Sequence, residues 1–337
     1  MKPPNWAKPR SNARAAGLRY YPNDTFCPPA HMDALDKLIQ LASLAGALDL
    51  RCLLSGPLEL DHAPAPAGEA VYHVVLDGAC TVVRKGHAPL ELTAGDIFFL
   101  PRGDAHVLSI KARAGGSSKV EMEARDNGAV TVRSNCGGQP PGVDLLCGRF
   151  LYAPRALLID VLPDVVHVSF SNASASYLAP LVQTMRREAE DAQLGAPSIV
   201  TALSTALFTM VLRAWLDGQP SLAGVLGLLA NRRLGASIIA MLERPAEPWT
   251  LEMLAKEAAM SRATFMRAFS AHSDSSPLAL LSHVRMQLAS TMLTHTKKSI
   301  ADVAADVGYQ SEAAFSKRFK ELYGVAPGRF RQTNGIA

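Results

Sequence analysis

The strongest constraint in this chain is a unit that occurs twice. Ser261, Phe265, Arg267, Phe269 and Pro277 recur fifty residues later as Ser311, Phe315, Lys317, Phe319 and Pro327. Similarity at a fixed period means that one supersecondary unit has been built twice. In the second copy Ser299 precedes IADVAAD, with Asp302 three positions on, so a hydroxyl caps a helix whose positive end suits an early carboxylate. Ile300, Val303, Ala304 and Val307 fall at helical spacing, and Gly308-Tyr309 breaks the helix at a tight turn. Ser311 caps a second helix with Phe315 and Phe319 one turn apart; Gly324 ends it and Pro327 prevents continuation. The first copy runs from Thr250 through Leu251, Leu254, Ala255 and Ala258, turns at Ala259-Met260 and restarts at Ser261. It has no glycine equivalent to Gly324, Asp274 standing there, which predicts a weaker end to its second helix. Ala255 and Ala304 are small where two helices must cross closely.

Two short helices joined by such a turn are a helix-turn-helix unit, which places the first half of its second helix in the DNA major groove. The outward positions there are Arg262, Ala263, Met266 and Arg267 in one copy and Glu312, Ala313, Ser316 and Lys317 in the other. Arg and Lys donate to guanine edges or phosphates, Glu accepts from cytosine and Ala touches a thymine methyl. Residues 278–294 between the copies keep helical periodicity in Leu281, Val284, Arg285, Leu288 and Met292. A helix of that length is about 26 Å long, a rod able to hold two reading helices near the roughly 34 Å of one DNA turn. A bundle using the repeat for packing alone would not repeat capped second helices with exposed basic positions.

The runs WTLEMLAKEAAMSRATFMRAF, SPLALLSHVRMQLASTML and IADVAADVGYQSEAAFSKRFKELYGVAPGRFR resemble the DNA-binding domain of AraC/XylS-type transcription regulators over residues 245–333. The resemblance implies a sequence-specific regulator, an activator by type, whose partners are double-stranded DNA and RNA polymerase. Charge fits a DNA partner: residues 245–337 hold eleven Lys and Arg against eight Asp and Glu, while 32–244 hold eighteen against twenty-one. Residues 1–31 are rich in Pro, Asn and Arg, lack periodicity and lack the apolar core of a secretory signal. They read as a disordered extension, with a patterned start at Met32. No uninterrupted apolar run reaches membrane-span length, since Ser204, Thr205, Thr209 and Arg213 break 199–216. A cytoplasmic protein without membrane contact is expected.

Between about Cys52 and Leu151 the pattern changes to short strands with Gly, Pro and Asp punctuation: VYHVVL, GACTVVRKG, PLELTAGDIFFLPRG and AHVLSI. Gly95, Pro101, Gly103 and His106 stand at the spacing G-x5-P-x-G-x2-H, which resembles the second motif of cupins, small double-sheet β-barrels. The first cupin motif is poorly kept: His73 stands, but Val75 replaces its second histidine. His73 and His106 are the candidate ligand-binding residues. Only with His87 would they reach the three ligands that a catalytic metal usually needs, so no metal and no cofactor are assigned. The overall expectation is an α+β multidomain chain: a cupin-like barrel over 32–170, a helical connector over 171–244 and the all-α double helix-turn-helix domain over 245–333. The connector helices, 177–191 and 198–216, either pack on the barrel or pair two chains as a homodimer.

Five cysteines, Cys27, Cys52, Cys80, Cys136 and Cys147, make an odd count without C-x2-C spacing, which argues against a disulfide framework and a closed zinc site. Cys80 and Cys147 read as small buried hydrophobes. Cys52 follows Arg51 and Cys136 lies near Arg133, and a nearby cation favours the reactive thiolate. The span from MDALDKLIQLASL to Cys52 resembles a reactive-chlorine-responsive branch of the AraC family, and that resemblance implies that Cys52 and Cys147 are an oxidation-sensitive pair, with Cys136 the alternative partner. The input is therefore an oxidant or a small-molecule effector. A metal-dependent cupin enzyme would need a fuller ligand set than this reading finds, and an architectural DNA binder would ignore any input.

Overall fold

The computed structural model describes residues 34–111, 121–191 and 193–334. The expected extension over 1–31, with Cys27, and the start at Met32 lie outside them. A helix α1, Ala34–Leu41, leads into β1 Ala45–Leu54, β2 Leu58–His62, β3 Glu69–Asp77, β4 Ala79–Val83, β5 Leu90–Thr93, β6 Asp96–Leu100, β7 His106–Ile110, β8 Glu123–Asp126, β9 Thr131–Ser134 and β10 Val143–Leu151. After α2 Leu157–Asp160 and β11 Val166–Ser169 come a 3-10 turn over Ala173–Leu178, then α3 Ala179–Asp191, α4 Ala196–Asp217, α5 Gly224–Ala230 and α6 Arg232–Glu243. The C-terminal helices are α7 Leu251–Glu257, α8 Arg262–Ser270, α9 Pro277–His295, α10 Ile300–Asp306, α11 Glu312–Tyr323 and α12 Pro327–Asn334. The chain is α+β, with a cupin-like N-terminal part and an all-α C-terminal part.

The strands form the two sheets of the double-sheet arrangement expected, but these do not close into a barrel. They pair into a seven-stranded sheet, β11-β6-β3-β10-β1-β9-β8, and a four-stranded sheet, β2-β7-β4-β5. The larger sheet is buried on both faces. Val75, Phe98, Leu100, Leu145 and Cys147 point toward the small sheet and share a core with Cys80, Val82 and Leu108. Tyr72, Val74, Ile97, Phe99, Leu146 and Phe150 point the other way, into a core shared with the helices. That double burial is why VYHVVL, DIFFL and LLCGRF are nearly continuous apolar runs rather than alternating ones.

The helices expected as a connector pack on this second face. Phe208 of α4 meets the rings of Phe99 and Phe150 at centroid distances of 5.7 and 5.1 Å. A Cβ on Gly46 would lie 2.4 Å from the Ser204 carbonyl carbon, so the strand carries no side chain where α4 crosses it. Gly46 N donates to Thr205 Oγ1 at 2.9 Å, and Tyr72 and Ser204 share a hydroxyl hydrogen bond of 3.0 Å. By length and composition α4 could cross a bilayer, but its apolar face, Val200, Leu207, Phe208, Val211 and Leu212, is buried on the sheet. On the same face Arg51 is bidentate to Asp144 at 3.0 and 2.7 Å and reaches Glu190 of α3 at 2.8 Å.

The two copies of the repeat form matching pairs, α7 with α8 and α10 with α11. Ser261, Ser299 and Ser311 cap their helices as expected, accepting from the amides of Thr264, Asp302 and Ala314, and Thr250 also acts as a cap, accepting from Met253 N. Both turns close with one hydrogen-bond pattern. Met260 N donates to Ala255 O and Tyr309 N to Ala304 O, each at the end of a left-handed residue, Ala259 at φ 49° and Gly308 at φ 86°. The period is therefore 49 through the first helix and 50 in the second, Gln310 being the additional residue. As expected, α11 ends on a left-handed Gly324 at φ 76°, while α8 ends at Ala271 without one.

Helix α9 joins the copies and is buried at both ends. Leu280, Leu281 and Val284 enter the core that also holds Phe265 and Phe269 of the first unit and the helix-side face of the large sheet. Met286, Ala289 and Leu293 enter a separate core around Phe315, Phe319 and Phe330. Between them Gln287 is fully buried; its Nε2 donates to Leu41 O at 2.9 Å and its Oε1 accepts from Leu157 N at 3.1 Å.

The two left-handed turn residues should respond oppositely to exchange. Ala259→Gly should raise stability by roughly 1 kcal/mol, because only the alanine carries a Cβ penalty there. Gly308→Ala gains that penalty and also sets a Cβ 2.6 Å from Ala246 O, for a loss of about 2 kcal/mol or more. Thermal unfolding of the two variants checks both signs.

Candidate functional site

The outward faces of α8 and α11 have the same burial sequence. Arg262, Ala263 and Arg267 are exposed with Met266 half-buried, and Glu312, Ala313 and Lys317 are exposed with Ser316 half-buried. Beneath them Phe265, Phe269, Phe315 and Phe319 are fully buried. Six of the eight side chains read from the sequence thus stand in solvent on a helix whose opposite side anchors it. Arg262 is paired with Glu252 at 2.8 Å, both highly exposed, so a phosphate or base edge would have to displace a surface carboxylate, a small cost in water. Arg267 and Lys317 form no ion pair with any described residue. Arg285 of α9 steadies the arrangement from behind. It donates from Nε to Pro245 O at 2.7 Å and from a terminal nitrogen to Glu247 O at 2.8 Å, and lies 5.8 Å from the Tyr309 ring centroid.

A second cluster lies between the two sheets, and strand register builds it. His62 of β2 is the direct antiparallel partner of His106 in β7, while His73 of β3 is the direct partner of Cys147 in β10. The two pairs face one another across the gap. His62 and His106 stack at 4.5 Å between ring centroids, and His73 meets both edge-on at 5.2 and 5.1 Å. His73 Nε2 is 2.9 Å from His106 Nε2, and His73 Nδ1 is 3.1 Å from Cys147 Sγ. His73 and His106 are thus brought together as the sequence suggested, but the third imidazole is His62. His87 is exposed in the turn between β4 and β5, away from the cluster. No motif marks His62; only the β2–β7 register reveals it.

The backbone sets the tautomers. Carbonyls only accept, so His106 Nδ1–H donates to Asp104 O and His62 Nδ1–H donates to Leu60 O, each at 3.1 Å. With both rings neutral, their Nε2 atoms carry lone pairs. His73 must then donate from Nε2 to His106, leaving its Nδ1 to accept from the Cys147 thiol. Burial holds all three imidazoles neutral: His73 is driven well below its ordinary value, by desolvation first and then by its imidazole neighbours, and His106 is lowered to about 4. Desolvation lowers His62 as well, with the Arg133 charge adding to it.

Cys52 lies one diagonal step from Cys147 on the same face, since β1 and β10 pair Leu50 with Cys147 and Cys52 with Leu145. The cation beside it is not Arg51, which projects from the opposite face toward α3. The neighbouring Cys147 thiol first, helped by the charge of Arg133, the direct partner of Cys52 in β9, holds the Cys52 thiol below its ordinary value. The neighbouring Cys52 and burial push the Cys147 thiol well up. Cys136 is turned elsewhere, donating to Leu53 O at 3.2 Å and lying 3.4 Å from Ser55 Oγ. Cys80 is a buried core residue, its thiol pushed up to about 11 by burial.

A family model described as a cupin matches residues 33–217, and one described as a helix-turn-helix domain matches residues 254–333. The chain is 37% identical to the HTH-type transcriptional regulator MtrA of Neisseria gonorrhoeae over 309 residues, covering 90% of this chain and 99% of that protein. It is 31% identical to the RCS-specific HTH-type transcriptional activator RclR of Escherichia coli over 305 residues, 89% of this chain and 98% of that one. Among solved structures, the DNA-binding domain of AdpA in complex with a target DNA is 31% identical, covers 29% of this chain and 89% of its own, and gives a TM-score of 0.29.

The neutral imidazoles predict a pH dependence of stability in metal-free protein. Each takes up a proton more readily unfolded than folded, so stability is full above about pH 6.5 and is lost as pH falls toward about 4, the value of His106. The slope is up to about 1.4 kcal/mol per pH unit for each imidazole. Urea unfolding across that range with a chelator present should show the loss, and His106→Gln should flatten it.

Proposed function

The chain belongs to the AraC-type transcriptional regulators that join an N-terminal cupin domain to a C-terminal double helix-turn-helix domain, and from that premise we propose that it is an activator whose cupin domain senses an oxidant through Cys52 and Cys147. The observation that carries this reading is the placement of the pair, two buried thiols that are diagonal neighbours on one face of adjacent strands, one thiol lowered and the other raised. A lowered thiol beside a neutral one suits attack followed by resolution. The Cys52 thiolate takes the chlorine of hypochlorous acid as the O–Cl bond breaks and hydroxide leaves, and water then displaces chloride from the sulfenyl chloride, giving a sulfenic acid and a proton. The Cys147 thiol then displaces water to close a disulfide. Both sulfurs are buried, which favours a small uncharged oxidant over a charged one. A diagonal strand pair sits about 7–8 Å apart between Cα atoms, beyond the roughly 4.4–6.8 Å of a disulfide, so closure would draw β1 and β10 together.

That movement has a route to the reading helices. Strand β1 begins four residues after α1, whose last residue, Leu41, accepts from Gln287 on α9. Displacement of β1 would act on that amide and so on the helix that spaces α8 and α11. An effector shifts such an equilibrium only by its unequal affinity for the two states. The RclR relative, named as an activator, supports activation, which implies RNA polymerase as a partner. Pairing of two chains as a homodimer fits two-fold DNA sites. The second reading, a small ligand in the cupin gap, is favoured by the His73–His106 pair.

Two results follow. Arg267→Ala and Lys317→Ala should each weaken specific DNA binding in gel-shift titration, Arg267→Ala by about 1–3 kcal/mol if it meets a base edge; unchanged affinity in the double variant would remove both from the interface. Cys52→Ser should abolish reporter induction by hypochlorous acid while leaving DNA affinity intact. A full response in that variant would transfer the input to a ligand at His73 and His106.

A further inference from the structure

The three histidines between the sheets are arranged as ligands, and the sequence motif accounts for only two of them. We propose that His62, His73 and His106 form a binding site for a first-row divalent transition-metal ion of the zinc type, held through three imidazole Nε2 atoms with a further coordination position open.

The donor set suits such an ion, since three neutral imidazoles with one position left open is an established catalytic or sensing arrangement for zinc. One ring nitrogen of each histidine lies within 4.8 Å of the other two, and the Nε2 atoms of His73 and His106 are 2.9 Å apart. Nitrogens bound to one zinc at 2.0–2.1 Å in tetrahedral geometry are about 3.3 Å apart, so the site closes with about an ångström or more of movement in one ring. His62 is the ring able to make it, because it is half-buried while His73 and His106 are buried.

The orientation of the rings argues more strongly than their number. A metal-bound histidine characteristically donates its other ring N–H to a carbonyl or another fixed acceptor. His62 does so to Leu60 O and His106 to Asp104 O. Both carbonyls lie two residues before their histidine, so each strand locks its own ring with Nε2 directed away. His62 Nε2 has no hydrogen-bond partner among the described residues. His73 differs: without an ion its Nε2–H is spent on His106, and an ion at Nε2 requires the proton on Nδ1, where Cys147 Sγ stands 3.1 Å away to accept it. Cys147 thereby supplies the third orienting contact from behind the ring. Burying three imidazoles is costly where apolar side chains would pack at less expense, and a shared ion offsets that cost. The charge of Arg133, felt by both His62 and Cys52, favours an anionic ligand in the open position.

The test uses the full chain with Zn2+ alone, without DNA or oxidant, so its outcome is separate from that of the thiol reading. Purified protein is stripped with chelator, titrated in competition with a chromophoric chelator, and its bound zinc counted after dialysis. One zinc per chain is expected. His62→Ala and His106→Ala should each weaken binding by at least about tenfold, while His87→Ala leaves it unchanged. Since His106 is buried, circular dichroism of each variant confirms that it is folded, and the more exposed His62 variant stands as the independent check. Co2+ in place of zinc should give the intense visible bands of a four- or five-coordinate site, lost in His62→Ala. The Cys52→Ser variant, which leaves all three rings and the orienting contact at Cys147 in place, should retain the ion. Folded wild type that binds no zinc at micromolar concentration, binding indifferent to His62→Ala and His106→Ala, or loss of the ion in Cys52→Ser would each overturn the three-imidazole site.

Discussion

The large sheet is buried on both faces, and nearly every functional feature follows from that constraint. Successive residues of a strand point to opposite sides, so each of β3, β6 and β10 feeds two cores at once. Tyr72 and Val74 meet α4 while His73 and Val75 look toward the small sheet. Leu146 and Phe150 meet helices while Leu145 and Cys147 look inward. A slip of one residue in β3 would exchange His73 for Tyr72 or Val74 and destroy the cluster and the helix contact together. Register is therefore strongly specified, and the histidine–cysteine cluster inherits its precision from packing elsewhere.

The second constraint is the shared core between the cupin domain and the first reading unit. Phe265 and Phe269 belong to the cluster that reaches Phe99, Phe150 and Phe208, whereas Phe315 and Phe319 have a core of their own. The two units are alike in local structure but unlike in attachment. One is fixed to the cupin domain and the other hangs from α9. Gln287 sits at the changeover, an amide whose donor and acceptor are both satisfied by backbone of the cupin domain. Loss of either bond would leave a buried polar group unpaired, a penalty of about 1–3 kcal/mol. A helix held by such a contact has a defined position between α8 and α11.

Electrostatics divides the same sheet. Arg51, Asp144, Arg186 and Glu190 form an ion cluster on the helix face that joins α3 to β1 and β10. Taking one partner away would leave a buried charge uncompensated. The opposite face, only one peptide from Arg51, holds neutral imidazoles and thiols, with Arg133 the cation that acts on Cys52. Adjacent residues on a strand can thus belong to unrelated electrostatic environments, and proximity in sequence misassigned the cation at Cys52 for that reason.

The reading units were legible in the sequence because their determinants are local. Caps at Ser261, Ser299 and Ser311, the phenylalanines at i and i+4, and the turns at Ala259 and Gly308 each act within a few residues, and the period exposes them twice. The strands and the G-x5-P-x-G-x2-H turn were legible on the same grounds. What the chain alone did not reveal were the relations between strands: two sheets left open rather than closed into a barrel, α4 laid on Gly46, His62 in place of His87, Arg133 in place of Arg51. Each of these depends on hydrogen-bond register and on which face of a doubly buried sheet a side chain takes, and both are decided by the sum of the packing rather than by any short run of residues.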